Sequence, residues 1–283
     1  YAKKGYVTAA IDYRLYDLSL PPAGPFPDSI SMMNVVIKAV GDYKAAIRYL
    51  RKDAATDNQF RIDTNYIFAG GFSAGSIAAL HTAYIDEGEL PSYLQDIVDD
   101  NGGLEGNTDN PNNSSMGYSS EIHAVINYFG GLNNKSWMDA NDPPLVSIHG
   151  TLDTTVPYGH GSATVFFIPL VTIDGSGVLH QRANLLGLNN ALMTVQGGGH
   201  GNFSQAKYAE MDALTSNFLG EILCGELSSN TELLTSNTLL IAPIPGTESI
   251  WLKFEENPGM YKVFITNQIG QVVYTKNNLL EHQ

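Results

Sequence analysis

Phe68-Ala69-Gly70-Gly71-Phe72-Ser73-Ala74-Gly75 is the stretch on which the fold turns. It joins a short apolar run, Tyr66–Ala69, to a helical stretch from Ser76 to about Ile85, and it carries the pattern G-x-S-x-G over Gly71–Gly75. A serine hydroxyl is a weak nucleophile. A catalyst therefore presents it on a tight strand-to-helix turn, where small neighbours avoid clashes and the next backbone N–H can meet an oxyanion. Gly71 and Gly75 remove side chains where such a turn is crowded. The alternatives are an ordinary Gly-rich turn or a phosphate-binding loop; a Walker-type loop needs a Lys before its Ser or Thr, and this stretch has none.

On both sides the chain alternates short β-rich runs with helical periodicity. Upstream, Val7-Thr8-Ala9-Ala10-Ile11 within Tyr6–Tyr13 suits a strand buried on both faces. A loop with Pro21, Pro22, Pro25 and Pro27 follows. Asp28 is placed to cap a helix whose apolar residues (Ile30, Met33, Val36, Ile37, Val40, Tyr43, Ile47, Leu50) recur at helical spacing, with an end expected near Arg51–Ala55. Downstream, Ala124–Phe129, Pro144–Ile148 and Ala191–Val195 each run into glycines and read as buried parallel strands, with helices expected over Leu179–Leu186 and Phe203–Leu223. This order predicts an α/β fold, a doubly wound and mostly parallel sheet. Two stretches break the rhythm. Asn101–Ser120, rich in Asn, Gly and Ser, reads as a surface loop whose Asp and Asn oxygens could hold a cation. Tyr158–Gly177, aromatic and Pro-containing, reads as irregular and as a candidate pocket wall.

The texture changes after Cys224. The expected organisation is a catalytic-type domain over 1–225, a polar linker over 226–236 and a small all-β module over 237–283. Its short alternating strands are expected at Thr238–Ile244, Ser249–Glu255, Tyr261–Thr266 and Gln271–Thr275.

Composition limits the partners. The 283 residues carry 15 Lys+Arg against 29 Asp+Glu, a net charge of −14, so neither nucleic acid nor an anionic membrane surface is an expected partner. No apolar run reaches the ~20 residues a membrane-spanning helix needs. The lone Cys224 excludes an internal disulfide and a multi-cysteine zinc site, and is expected to be a buried small hydrophobe. The first residue is Tyr1, with no initiator Met and no signal segment, so the sequence is expected to begin inside a longer product.

A nucleophilic serine needs a base, and there are seven histidines. His81 lies eight residues along the same helix and cannot reach back. His123 precedes its strand and His282 is in the tail. His149, at a strand end, reads as structural, holding the loop that follows, whereas His160 and His180 could line a pocket. His200, in Gly197-Gly198-Gly199-His200-Gly201 after the last strand of the large domain, is the expected base. The acid that orients it should follow the preceding strand, which selects Asp153 in Gly150-Thr151-Leu152-Asp153. Asp139 and Asp142 precede that strand, at the wrong edge of a parallel sheet, and read as turn and capping residues.

The order Ser73, Asp153, His200, with Phe68–Gly75 as strand and nucleophile elbow and Ile11-Asp12-Tyr13-Arg14-Leu15 as an earlier strand end and turn, resembles the α/β-hydrolase serine esterases and lipases over roughly Tyr1–Cys224. The resemblance implies transfer of an acyl group to water: Ser73 attacks an ester carbonyl, His200 carries the proton, Asp153 holds His200 and the Ala74 N–H is one oxyanion donor. It implies no cofactor and no metal, and a small-molecule or polymer-borne ester as substrate. The family's HGGG-type loop, which supplies the other donor, is expected upstream of Tyr1. So is a strand filling a slot of about 10 Å, twice the ~4.8 Å strand spacing, between Tyr6–Tyr13 and Tyr66–Ala69. Leu239-Leu240-Ile241-Ala242-Pro243-Ile244-Pro245 and the run Val263–Tyr274 resemble the type IX secretion sorting module of Bacteroidetes, which implies a secretion-machinery partner and a secreted or cell-surface location; a β accessory or carbohydrate-binding module is the alternative. Competing with ester hydrolysis are a non-catalytic surface-binding protein on the same scaffold and a peptidase, whose usual acidic anchor or gating domain the sequence does not display.

Overall fold

In the computed structural model the described residues are 1–16, 28–88, 90–106, 114–165 and 168–225, together with four strands between 239 and 278. The apolar runs meet in one parallel sheet of strands β1 (Phe68–Phe72), β2 (Ala124–Tyr128), β4 (Leu145–Gly150) and β7 (Asn190–Val195), in that spatial order. The registers pair Phe68 with Ala124, Val125 with Leu145 and Leu145 with Asn190.

Period-two alternation divides these strands between two apolar clusters. Val125 and Leu145 join Ala69 against α1 (Ser29–Ala55), α2 (Ala74–Tyr84), α3 (Ser92–Asp100) and α4 (Ser176–Leu186). Ala124, Ile126, Tyr128, Val146 and Ile148 point the other way, against Met211, Phe218 and Leu219 of α5 (Gln205–Gly225). Successive side chains of a strand face opposite ways, so a strand buried on both sides must be apolar throughout, as β2 and β4 nearly are; β7, expected to be buried, is mostly half-buried, because it ends the sheet of the described residues and has a ladder partner on one side only. This is the expected doubly wound α/β arrangement.

Helix α1 starts where the sequence indicates: the Asp28 carboxylate accepts from Ser31 N at 2.8 Å, and the helix buries Met33, Ile37, Val40, Tyr43 and Ile47 along one stripe. The strand expected at Tyr66–Ala69 lies slightly later, because Gly70 and Gly71 extend the ladder opposite Ile126 and Asn127. Helix α3, with Leu94, Ile97 and Val98 buried, was outside the sequence reading; three apolar residues in nine are too short a stripe to stand out.

Three expectations are corrected. Tyr6–Tyr13 is not a strand: it makes no ladder and is largely exposed, with Val7 at 55%. Side chains hold it instead, Tyr6 against Phe68, Tyr13 against Tyr43, and Arg14 on Asp42 at 3.0 Å. A β-rich run becomes a strand only if a neighbour supplies ladder partners. Tyr158–Gly177 is regular, most of it an antiparallel hairpin of β5 (His160–Val165) and β6 (Ile168–Gly175), with β3 (Gly131–Leu132) on the outer side of β6. Cys224 is exposed, because the inward stripe of α5 runs through 211, 215, 218 and 219 and leaves 224 on another face.

The chain divides into two compact units, Tyr1–Glu226 and Leu227–Gln283. Within the second, β8 (Leu239–Pro243) pairs antiparallel with β9 (Ile250–Phe254), and β10 (Tyr261–Thr266) with β11 (Val272–Asn278). The expected linker over 226–236, and residues 107–113 of the expected Asn-rich loop 101–120, lie outside the described residues.

Candidate active site

The turn between β1 and α2 forces Ser73 into φ 53° and ψ −116°, a conformation that L-residues seldom adopt. The turn closes only because Gly71 has no side chain: a Cβ there would stand 2.5 Å from the carbonyl carbon of Gly75. The expected crowding at Gly75 itself is absent, since a Cβ added there would meet the Tyr13 hydroxyl at an ordinary 3.5 Å. Ser76 braces the turn, donating to Gly71 O while its Oγ accepts from Tyr128 N at 2.8 Å.

Two further turns, both at the carboxyl edge of the sheet, bring in the other two residues. The turn after β4 carries Asp153 and the turn after β7 carries His200. Leu152 N donates to Gly198 O at 2.9 Å, Thr151 N to Val195 O at 3.0 Å, and Gly197 N to Thr151 Oγ1 at 2.9 Å. Gly150 permits this approach, because any side chain on it would strike the Gly198 and Gly199 carbonyls. Adjacent parallel strands end side by side, so locking their turns fixes Asp153 relative to His200.

The result is a continuous chain of contacts. His200 Nε2 lies 2.7 Å from Ser73 Oγ, and His200 Nδ1 lies 2.7 Å from Asp153 Oδ2. Asp153 Oδ1 accepts from Thr155 N at 2.8 Å and Val156 N at 2.9 Å. Burial alone would raise the Asp153 carboxyl; hydrogen bonds from His149 and His200, and from the N–H groups of Val156 and Thr155, outweigh it and hold the group well below the usual carboxylate range. A carboxylate so held keeps a hydrogen on His200 Nδ1, which leaves Nε2 to accept from the serine. The ring edge of the base also meets Phe129, centroids 5.1 Å apart at 72°. Phe129 itself sits at φ 45°, and Gly201 gives its ring room, since a Cβ there would lie 2.7 Å from it.

Ala74 is the first residue of α2 and is exposed, so its N–H belongs to the helix turn whose donors lack intrahelical partners, next to Ser73. Four other histidines lie away from the serine, and His282 is outside the described residues. His81 is buried in α2, with Nδ1 on Ile77 O at 2.7 Å, His123 accepts from Ile67 N at 3.0 Å, His160 pairs with Asp174 at 2.8 Å and His180 contacts Asn184 at 3.2 Å.

Asp139 and Asp142 are turn residues: Asp139 Oδ1 accepts from Asn141 N at 2.7 Å, and Asp142 Oδ2 from Asp139 N at 2.8 Å. With Asp86 they bring three carboxylate oxygens within 4.8 Å of one another, at the amino edge of the sheet and away from Ser73. Acidic groups gather in this way without an ion, and no other feature there points to one. A cavity of about 470 Å³ lined by Asp86, His123 and Asp142 lies at the same edge.

Sequence reasoning passed over the polar residues behind the triad. Asn127, Ser147 and Ser176 are fully buried, and Asn127 Nδ2 donates to both serine hydroxyls at 3.0 Å. The signal was present as one polar residue in each of two otherwise apolar strands, Ala124-Val125-Ile126-Asn127 and Leu145-Val146-Ser147-Ile148.

Residues 1–138, just under half the chain and including the Ser73 turn, match the BD-FAE family model. Several solved structures are similar. Thermogutta terrifontis esterase 2 phosphonylated by cyclosarin is 22% identical over 66% of this chain and 65% of that one, with a TM-score of 0.45. The propionate-bound form of the thermophilic esterase Est2 from the same planctomycete is 23% identical over 66% of each chain, with a TM-score of 0.44. A truncated carbohydrate esterase from gut microbiota is 21% identical over 67% of this chain and 78% of that one, with a TM-score of 0.42. The match spans slightly less than two thirds, 65%, of the first of these structures. No curated protein matches the chain.

Proposed function

We propose that the protein is a serine hydrolase that cleaves carboxylic esters through an acyl-enzyme on Ser73. The observation that carries this reading is the Ser73–His200–Asp153 chain, 2.7 Å at each link, with its serine on a strained strand-to-helix turn. His200 Nε2 takes the hydroxyl proton as Oγ bonds to the ester carbonyl carbon, and returns it to the departing alkoxide. Water then adds to the acyl-enzyme by the same route, releasing the acid and restoring Ser73. Asp153 stabilises the imidazolium that forms in each half, and the Ala74 N–H faces the developing oxyanion. The substrate is a small-molecule or polymer-borne ester. With a net charge of −14, a strongly anionic polymer is disfavoured.

Two measurements test the reading. A fluorophosphonate should modify Ser73 stoichiometrically, and no modification would leave a non-catalytic binding scaffold. A panel of p-nitrophenyl esters of graded acyl length should be turned over while aminoacyl and dipeptidyl p-nitroanilides are not; the reverse preference would make the protein a peptidase.

For the second unit the proposal is a sorting role that directs the chain out of the cell. Its support is the pair of antiparallel strand pairs together with the stretches 239–245 and 263–274. Fusing residues 227–283 to a periplasmic reporter should move it to the surface of a host with a type IX system; retention of the reporter would leave an accessory module. Within the described residues no helix is long and apolar enough to cross a membrane.

A further inference from the structure

His149 stands at the end of β4, four residues before the triad acid, and is fully buried. An imidazole removed from water needs partners for both nitrogens, and the surroundings of this one fix which nitrogen carries the hydrogen. The assignment starts at Asn127. Its Oδ1 accepts from Gly130 N at 2.9 Å, which turns Nδ2 toward Ser147 Oγ and Ser176 Oγ, each 3.0 Å away. Ser176 Oγ, already receiving that hydrogen, presents its own to His149 Nδ1 at 2.7 Å. The other nitrogen faces only oxygen acceptors, Val156 O at 3.0 Å and Asp153 Oδ2 at 3.2 Å, so Nε2 carries a hydrogen. The Tyr158 ring closes the pocket edge-on, centroids 5.8 Å apart.

Asp153 Oδ2 is thus flanked by two imidazole nitrogens, His200 Nδ1 at 2.7 Å and His149 Nε2 at 3.2 Å, while Oδ1 is held by two backbone N–H groups. Val156 is gripped from both ends, its N–H by Asp153 and its carbonyl by His149.

We propose that His149 is a positioning residue of this site, whose Nε2–H pins the Val156 carbonyl and flanks Asp153 Oδ2 so that the carboxylate is aimed at His200. Its orientation comes from the buried Asn127–Ser176 pair, the first in β2 and the second at the start of α4, which makes the buried polar chain an alignment device for the triad. The proposal rests on the esterase reading and is tested in the full chain with p-nitrophenyl acetate.

Misaligning a catalytic group by about 1 Å can cost on the order of 10²-fold, so His149→Leu should lower kcat by about 10- to 100-fold while KM changes by less than about threefold. His149→Gln, which returns an N–H near the Nε2 position, should recover most of the loss. In an Asp153→Asn background His149→Leu should cost less than about twofold more, because residues acting through one group do not add. If His149→Leu fails to fold, Ser176→Ala replaces it in the same cycle; it frees Nδ1 to take the hydrogen and should lower kcat severalfold, again only while Asp153 is present. An equal loss in both backgrounds, or a Gln variant as impaired as Leu, would overturn the proposal. Ser73→Ala separates the two failures: turnover surviving that change sinks the esterase reading, whereas an inactive Ser73→Ala beside a fully active His149→Leu sinks only the role of His149.

Discussion

Residues 7–11 and 144–148 look alike in sequence and behave differently in the fold. Both are short apolar, β-rich runs. Every residue of Leu145–Gly150 is buried and 145–148 are laddered on both sides, while Val7–Ile11 has no ladder and is mostly exposed. The contrast teaches that propensity only licenses a strand. Hydrogen-bonding neighbours make one, and without them the same residues hang on a few side chains such as Tyr6, Tyr13 and Arg14.

The sharpest way to test the contrast is at the end that the ladder builds. Ser73→Ala and His200→Ala should each remove on the order of 10⁴–10⁶ of the ester-hydrolysis rate, with the double variant hardly worse, since triad members act as a unit. Assays of purified variants with a p-nitrophenyl ester check this; a clear further loss in the double variant would mean the two residues act separately. Asp153→Asn should lose about 10⁴ in kcat by leaving His200 in the wrong tautomer.

The comparison itself is broken or kept by a pair of truncations. Ile148→Ala, in the laddered strand, should cost about 2–5 kcal/mol in urea unfolding. Val7→Ala, 55% exposed, should stay within about 0.5 kcal/mol. Equal costs would show that the segment near Val7 is as firmly integrated as β4.

A pH titration probes the same division through His81. Burial, opposed in part by the hydrogen bond to Ile77 O, lowers its pKa to about 4. The unfolded chain takes up a proton on this side chain near pH 6.5, and the native state does so only near 4, so stability falls as pH drops through that window. The loss should reach up to about 3 kcal/mol, and His81→Gln should flatten it. A melting temperature independent of pH from 7 to 4.5 would contradict the buried histidine.

The smallest effect is expected where the Tyr13 side chain meets the start of α2. Gly75→Ala adds a methyl group 3.5 Å from the Tyr13 hydroxyl and should change stability by less than about 1 kcal/mol, with better helix propensity offsetting any crowding. Gly71→Ala, driven into the Gly75 backbone, should prevent the turn from closing as it does now. Equal tolerance at both positions would show that the turn is looser than its geometry.

Much of this was legible because local chemistry and fold agree. Asp28 caps the helix that follows it, and the glycine-ended runs 124–129 and 144–148 are parallel strands. Ser73, Asp153 and His200 could be chosen because each follows a strand of one parallel sheet, and such strands end together at one edge. What escaped was whatever depends on partners far along the chain. The hairpin within 158–177 lacks clean alternation, and the exposure of Cys224 depends on which stripe of α5 meets the sheet.

By itself the sequence determined the alternation of strands and helices, the turn that exposes a serine and the chain order of the three polar groups, because spacing, caps and glycines act over a few residues. Only the tertiary structure decided that Tyr6–Tyr13 stays outside the ladder, that the turns after β4 and β7 lock together through Leu152 and Gly198, and that His149 lies beside Asp153. Those outcomes are set by distances between segments remote in sequence, where hydrogen-bonding groups withdrawn from water must find partners that no local pattern can name.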